Sequence, residues 1–104
     1  MVKLKNRIEY LEYIKVKMLS TFKNIRILNQ NYEEADGRFS VTFLYKLDKI
    51  KIDTARGYIG IEIVQGNENI DISQLDKNIN NIYLSVNSID YYIDFLKKYY
   101  ELDG

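Results

Sequence analysis

The sequence predicts an α+β fold in one domain spanning residues 1–104. The expected architecture is a four-stranded antiparallel meander sheet covered on one face by N- and C-terminal helices, in the order α-ββββ-α-α. Three observations lead there. Apolar residues recur with a helical period at both ends of the chain. They recur with a period of two between residues 24 and 65, and turn residues punctuate that alternation.

The first segment, Lys3 to Phe22, places Leu4, Ile8, Leu11, Ile14, Met18, Leu19 and Phe22 on one arc at 100° per residue. Lys15 falls inside that arc and is expected to snorkel. Four strands are expected at 24–33, 38–47, 49–54 and 58–65. In the second, Phe39, Val41, Phe43 and Tyr45 alternate with Ser40 and Thr42. In the third, Ile50 and Ile52 alternate with Lys49, Lys51 and Asp53. In the fourth, Ile59, Ile61 and Ile63 alternate with Tyr58, Gly60 and Glu62. Such alternation marks strands with one buried face, and Ile61 stands at the centre of that face. Asp36-Gly37, Leu47-Asp48-Lys49 and Thr54 to Gly57 supply the turns.

Residues 65–71 read as a polar loop. Ser73 and Asp76 have capping-box spacing and predict a short helix over 74–81. The stretch 82–86 suits a strand or a helix equally. Asn87 or Ser88 then caps a final helix to about Glu101, whose inward arc is Ile89, Tyr92, Ile93, Phe95, Leu96, Tyr99 and Tyr100. A four-stranded sheet with one apolar face needs a cover, and the two end helices supply it.

Composition limits the chemistry. The chain has no His, Cys, Pro or Trp. That removes thiolate and imidazole nucleophiles, Ser-His couples, disulfides and Cys- or His-ligated metals. No apolar run reaches the ~20 residues that span a bilayer. No secretory signal is visible, and a cytoplasmic location is expected. Glycines in Arg56-Gly57-Tyr58-Ile59-Gly60 fall short of a dinucleotide loop. Asn67, Asn69, Asp71 and Ser73 alternate like calcium ligands, but Ile72 and Asn78 stand where such a loop needs Gly and Glu. Asp53 and Glu62 could face each other across two strands, yet two strand carboxylates hold Mg²⁺ poorly. No metal, no cofactor and no catalytic residue is expected.

What remains is contact chemistry. Ten residues are Tyr. Tyr45, Tyr92, Tyr99 and Tyr100 fall on expected core faces; Tyr10, Tyr13, Tyr58 and Tyr91 fall off them and suit a partner surface. Charge is segregated: residues 1–31 carry a net +5 and residues 32–104 a net −5. The expectation is a small non-enzymatic protein-binding module of inhibitor or immunity type, such as a toxin-immunity or phage-encoded anti-defence protein. It would occlude another protein, such as a basic enzyme or nuclease, through Tyr58, Glu62, Asp90 and Tyr91. The alternative is a nucleic-acid or small-nucleotide binder using Lys49, Lys51 and Arg56 beside Tyr58.

Overall fold

The computed structural model describes residues 7–80 and 82–100. Element order is α1 (Arg7–Thr21), β1 (Arg26–Tyr32), β2 (Phe39–Tyr45), β3 (Asp48–Ala55), β4 (Tyr58–Gln65), β5 (Glu68–Ile70), α2 (Ile72–Leu75), β6 (Ile82–Tyr83) and α3 (Val86–Tyr99). The architecture is the expected α+β. Strands β1 to β5 form an antiparallel meander in sequence order, and α1 and α3 pack together on one face. Leu4 and Glu101, placed at helix ends from the sequence, lie outside the described residues. No described helix is long and apolar enough to cross a membrane.

Two short strands join the four expected. β5 occupies part of the segment read as a loop, and β6 pairs with the start of β4 through Tyr58↔Tyr83 and Ile59↔Ile82. The short helix comes early: α2 has Asp71 at its N-cap, and Ser73 bonds the Asp71 carboxylate instead of capping. The last helix also starts early. Ser85 is its N-cap; its Oγ accepts from the Ser88 N–H at 3.0 Å, and its own N–H donates to Ser88 Oγ at 2.9 Å. This reciprocal pair satisfies two backbone donors with serine in the place usual for Glu or Gln.

The core lies between the sheet and the two long helices. Leu11, Ile14, Met18 and Phe22 meet Phe39, Val41, Phe43, Ile50, Ile52, Ile59 and Ile63, with Ile89, Tyr92, Ile93 and Leu96 closing the other side. Each such side chain contributes roughly 1.5–3 kcal/mol by leaving water. Ile8 and Leu19, expected to point inward, are 41% and 48% exposed. They sit roughly 80–90° round the helix from the centre of the buried stripe. The helix instead turns its Tyr10 and Tyr13 flank toward the core. At the far end an aromatic clamp closes the sandwich: Tyr45 stands edge-on to Phe22 at 5.2 Å and to Tyr100 at 5.0 Å.

Ile61 departs from the expected pattern. It lies opposite Ile52 on the core face but is only half-buried. The cause is the outer edge of β4. β5 pairs with Ile63 to Gln65 and β6 with Tyr58 and Ile59, so no strand flanks β4 from Gly60 to Glu62. Ile63 is the fully buried isoleucine of this strand.

Three two-residue hairpins recur every ten residues, at 46–47, 56–57 and 66–67. The first falls one residue earlier than the sequence suggests. Lys46 (φ 51°) and Leu47 (φ 71°) both take the left-handed conformation, as do Arg56 (φ 54°) and Gly57 (φ 84°). Positive φ at both central residues is the type I′ pattern that matches strand twist. Leu47 holds it without glycine, at a cost of about 1–2 kcal/mol. Its side chain is 88% exposed. Leu47→Gly is therefore expected to raise unfolding stability by about 1 kcal/mol in a urea titration. Ile63→Asp is expected to abolish the cooperative transition, because it buries an unpaired charge. Ile61→Asp is expected to keep that transition and to lose about 1–3 kcal/mol.

Candidate interaction face

Because both long helices occupy one side, the other side of the sheet is bare. Strand register turns it into a grid of four rows. Arg26, Leu44, Lys49, Val64 and Asn69 form the first row across β1 to β5. Asn29, Thr42, Lys51 and Glu62 form the second. Asn31, Ser40, Asp53 and Gly60 form the third. Ala55, Tyr58 and Tyr83 form the last, across β3, β4 and β6. Leu28 is the extra residue of a bulge in β1 and is also exposed.

The tyrosines of the last row form the most conspicuous feature. The rings of Tyr58 and Tyr83 stack with centroids 4.6 Å apart and planes 20° from parallel, and the Tyr58 hydroxyl donates to that of Tyr83 at 3.2 Å. Tyr83 is 68% exposed. That hydrogen bond raises the Tyr58 pKa above its ordinary value. Tyr83 was not singled out from the sequence. It reaches the site only because β6 returns to β4, held there by the Leu84 N–H donating to the Gly57 carbonyl at 2.8 Å.

In the middle rows, Lys51 stands directly opposite Glu62, and Asp53 opposite Gly60. Gly60 lets the Asp53 carboxylate lie close over the strand: a Cβ there would meet Asp53 Oδ1 at 2.9 Å. Burial raises the Asp53 pKa; Lys51 opposes that shift and Glu62 adds to it. Asp53 and Glu62 thus share the bare face as diagonal neighbours, not directly opposed. No group of three or more potential metal-binding side chains occurs among the described residues.

The other candidates lie elsewhere. Asp90 faces α1, where the Tyr13 hydroxyl donates to its Oδ1 at 2.7 Å and Lys17 Nζ lies 4.0 Å away. Tyr91 is exposed on α3, and its hydroxyl donates to Asp76 just after α2. That bond raises the Tyr91 pKa and lowers that of Asp76. Asp90 and Tyr91 therefore belong to the helical layer, with Tyr58 and Glu62 across the sheet from them. Lys49 and Lys51 sit on the bare face, while Arg56 occupies the β3–β4 turn beyond the last row.

Tyr92 governs the placement of β6. Its hydroxyl lies 2.9 Å from the Ile59 carbonyl and 2.5 Å from the Ile79 carbonyl, and its one proton serves either. Burial, with lesser help from Asp53, raises its pKa to about 12; burial and the Asp90 bond take Tyr13 to about 12. A tyrosine whose folded pKa exceeds its unfolded value stabilises the fold below pH ~10, and that contribution disappears as pH rises toward the folded value. Stability is thus expected to fall between about pH 10 and 12, read by denaturant midpoints. Tyr92→Phe is expected to cost about 1–2 kcal/mol at pH 7 and to flatten this alkaline limb. Comparison of the chain with protein-family models, with curated proteins and with solved structures gives no match in any of the three.

Proposed function

We propose that the chain is a non-enzymatic protein-binding module that occludes a partner with the bare face of its sheet, as an inhibitor or immunity-type protein acting in the cytoplasm. The observation that carries this reading is the uncovered four-row grid with the stacked Tyr58–Tyr83 pair at one end. Its chemistry is that of a protein contact. Exposed apolar groups at Tyr58, Tyr83 and Leu28, with half-buried Leu44 and Val64, lie among amides, hydroxyls and charges of both signs. A nucleic-acid track needs a surface of one sign. Here Glu62 stands opposite Lys51, Asp53 lies in the row between Lys51 and the tyrosines, and both carboxylates repel phosphate.

The face also indicates the partner's charge. Arg26, Lys49 and Lys51 outnumber Asp53 and Glu62 on the grid. Most acids of residues 32–104 lie on turns and helices: Glu33, Glu34 and Asp36 between β1 and β2, Asp71 and Asp76 beside α2, and Asp90 and Asp94 on α3. An acidic partner surface is complementary to the grid, although the net charge of residues 32–104 suggests a basic one. The grid measures about 20 Å by 20 Å in plan, from strand spacing and rise. That is near half of the ~800 Å² that one side of a standard interface buries. The partner therefore extends beyond the grid onto the flanking turns.

The test is affinity capture from the native host, followed by binding measurements with the recovered protein. The double substitution Tyr83→Ala with Lys51→Glu is expected to weaken binding at least a hundredfold without lowering the melting temperature. Asp90→Asn is expected to leave binding unchanged. Full binding by the double variant, with loss in Asp90→Asn, would overturn the assignment of the face.

A further inference from the structure

A second feature lies past the last row, at the end of the sandwich where α1 begins and two hairpin turns converge. Arg7, Asp36, Arg38, Ala55, Arg56 and Gly57 line a 420 Å³ concavity there. A glycine in each turn, Gly37 and Gly57, leaves it open. A Cβ on Gly37 would meet Arg7 Cγ at 2.7 Å, and one on Gly57 would stand 3.8 Å from Arg7 Nη2. The stem of Arg7 therefore lies across the β1–β2 turn, and its guanidinium reaches the β3–β4 turn.

The charges do not cancel. Asp36 is engaged by Arg38: Arg38 Nε lies 3.0 Å from Asp36 Oδ2, and the Arg38 N–H donates to Asp36 Oδ1 at 3.0 Å. The side chains of Arg7 and Arg56 have no hydrogen bond or ion pair among the described residues. Two guanidinium groups are thus left with their planar donor forks unused, beside a third that retains its Nη groups. Such forks match the oxygens of a phosphate and bind them in pairs.

We propose that this concavity is an oxyanion site that takes a phosphate dianion, held by Arg56 and Arg7 with Arg38 at its rim. A dianion matches the two uncompensated charges; chloride and a single carboxylate do not. The site adjoins the protein-binding face at Ala55, which also belongs to the last row of the grid. Ala55 forms the ridge between this concavity and a neighbouring one lined by Tyr58, Gly60 and Asn80.

The experiment is titration of ¹⁵N-labelled protein with inorganic phosphate at constant ionic strength, followed by NMR. Expected are saturable shifts of the Gly37 and Gly57 amides and of the Arg7 and Arg56 Nε–H groups, with no such shifts from chloride or acetate. Arg56→Gln, at an exposed turn, is expected to weaken phosphate binding about tenfold or more. Arg7→Gln is expected to do the same, and Arg26→Gln, an equal charge change at the other end of the sheet, to leave binding intact. AMP and phosphoserine separate the sources of the phosphate. Tighter binding of AMP with shifts at Tyr58 and Tyr83 assigns a nucleotide; equal binding of both assigns the phosphate group alone. Non-saturating shifts, the same response to chloride, or equal losses in Arg56→Gln and Arg26→Gln would overturn the proposal.

Discussion

One buried hydroxyl group ties the architecture together. Tyr92 projects from α3 between the carbonyls of Ile59 in β4 and Ile79 in the segment leading to β6. It is 1% exposed, so those carbonyls have no water to replace it. The contact fixes α3 on one face of the sheet and guides the returning chain to the edge of β4. Both consequences matter for function. The first leaves the opposite face bare; the second brings Tyr83 onto Tyr58.

The remaining tyrosines show why this pair stands out. Tyr45 and Tyr100 join Phe22 in the clamp, and Tyr100 also donates to Asp48 at 2.7 Å. Tyr99 accepts from Gln65 at 3.0 Å, Tyr13 donates to Asp90, and Tyr91 donates to Asp76. These hydroxyls fasten helices to strands, to loops or to each other. Tyr58 and Tyr83 stack on and bond to each other on an exposed surface, and Tyr83 keeps 68% of its area open to solvent. Composition reports the abundance of tyrosine, but only the fold distinguishes structural rings from available ones.

The strand pattern was legible because burial on one face forces a period of two over seven or eight residues. The same parity correctly placed Tyr58, Glu62, Lys49 and Lys51 together on the far face. Elements of two or three residues carry no such period, and β5 and β6 depend on pairing with β4. The capping box at Ser85 was hidden because Ser88 takes the role usually played by Glu or Gln. The β2–β3 turn was misplaced by one residue because Lys46 and Leu47 carry no glycine or asparagine to mark positive φ. The bonds that tie Asp90 and Tyr91 to Tyr13 and Asp76 were not legible, because those partners are 77 and 15 residues away in sequence. The arginine concavity was invisible for the same reason: Arg7, Arg38 and Arg56 meet only when two turns and a helix start converge.

The account rests on the far side of the sheet being open to solvent in the free protein. Hydroxyl-radical footprinting resolved by residue tests this directly. The account predicts rapid modification of Tyr83 and Tyr58, with Tyr92 and Tyr45 protected. Protection of Tyr83 and Tyr58 equal to that of Tyr92 in the isolated chain would contradict it.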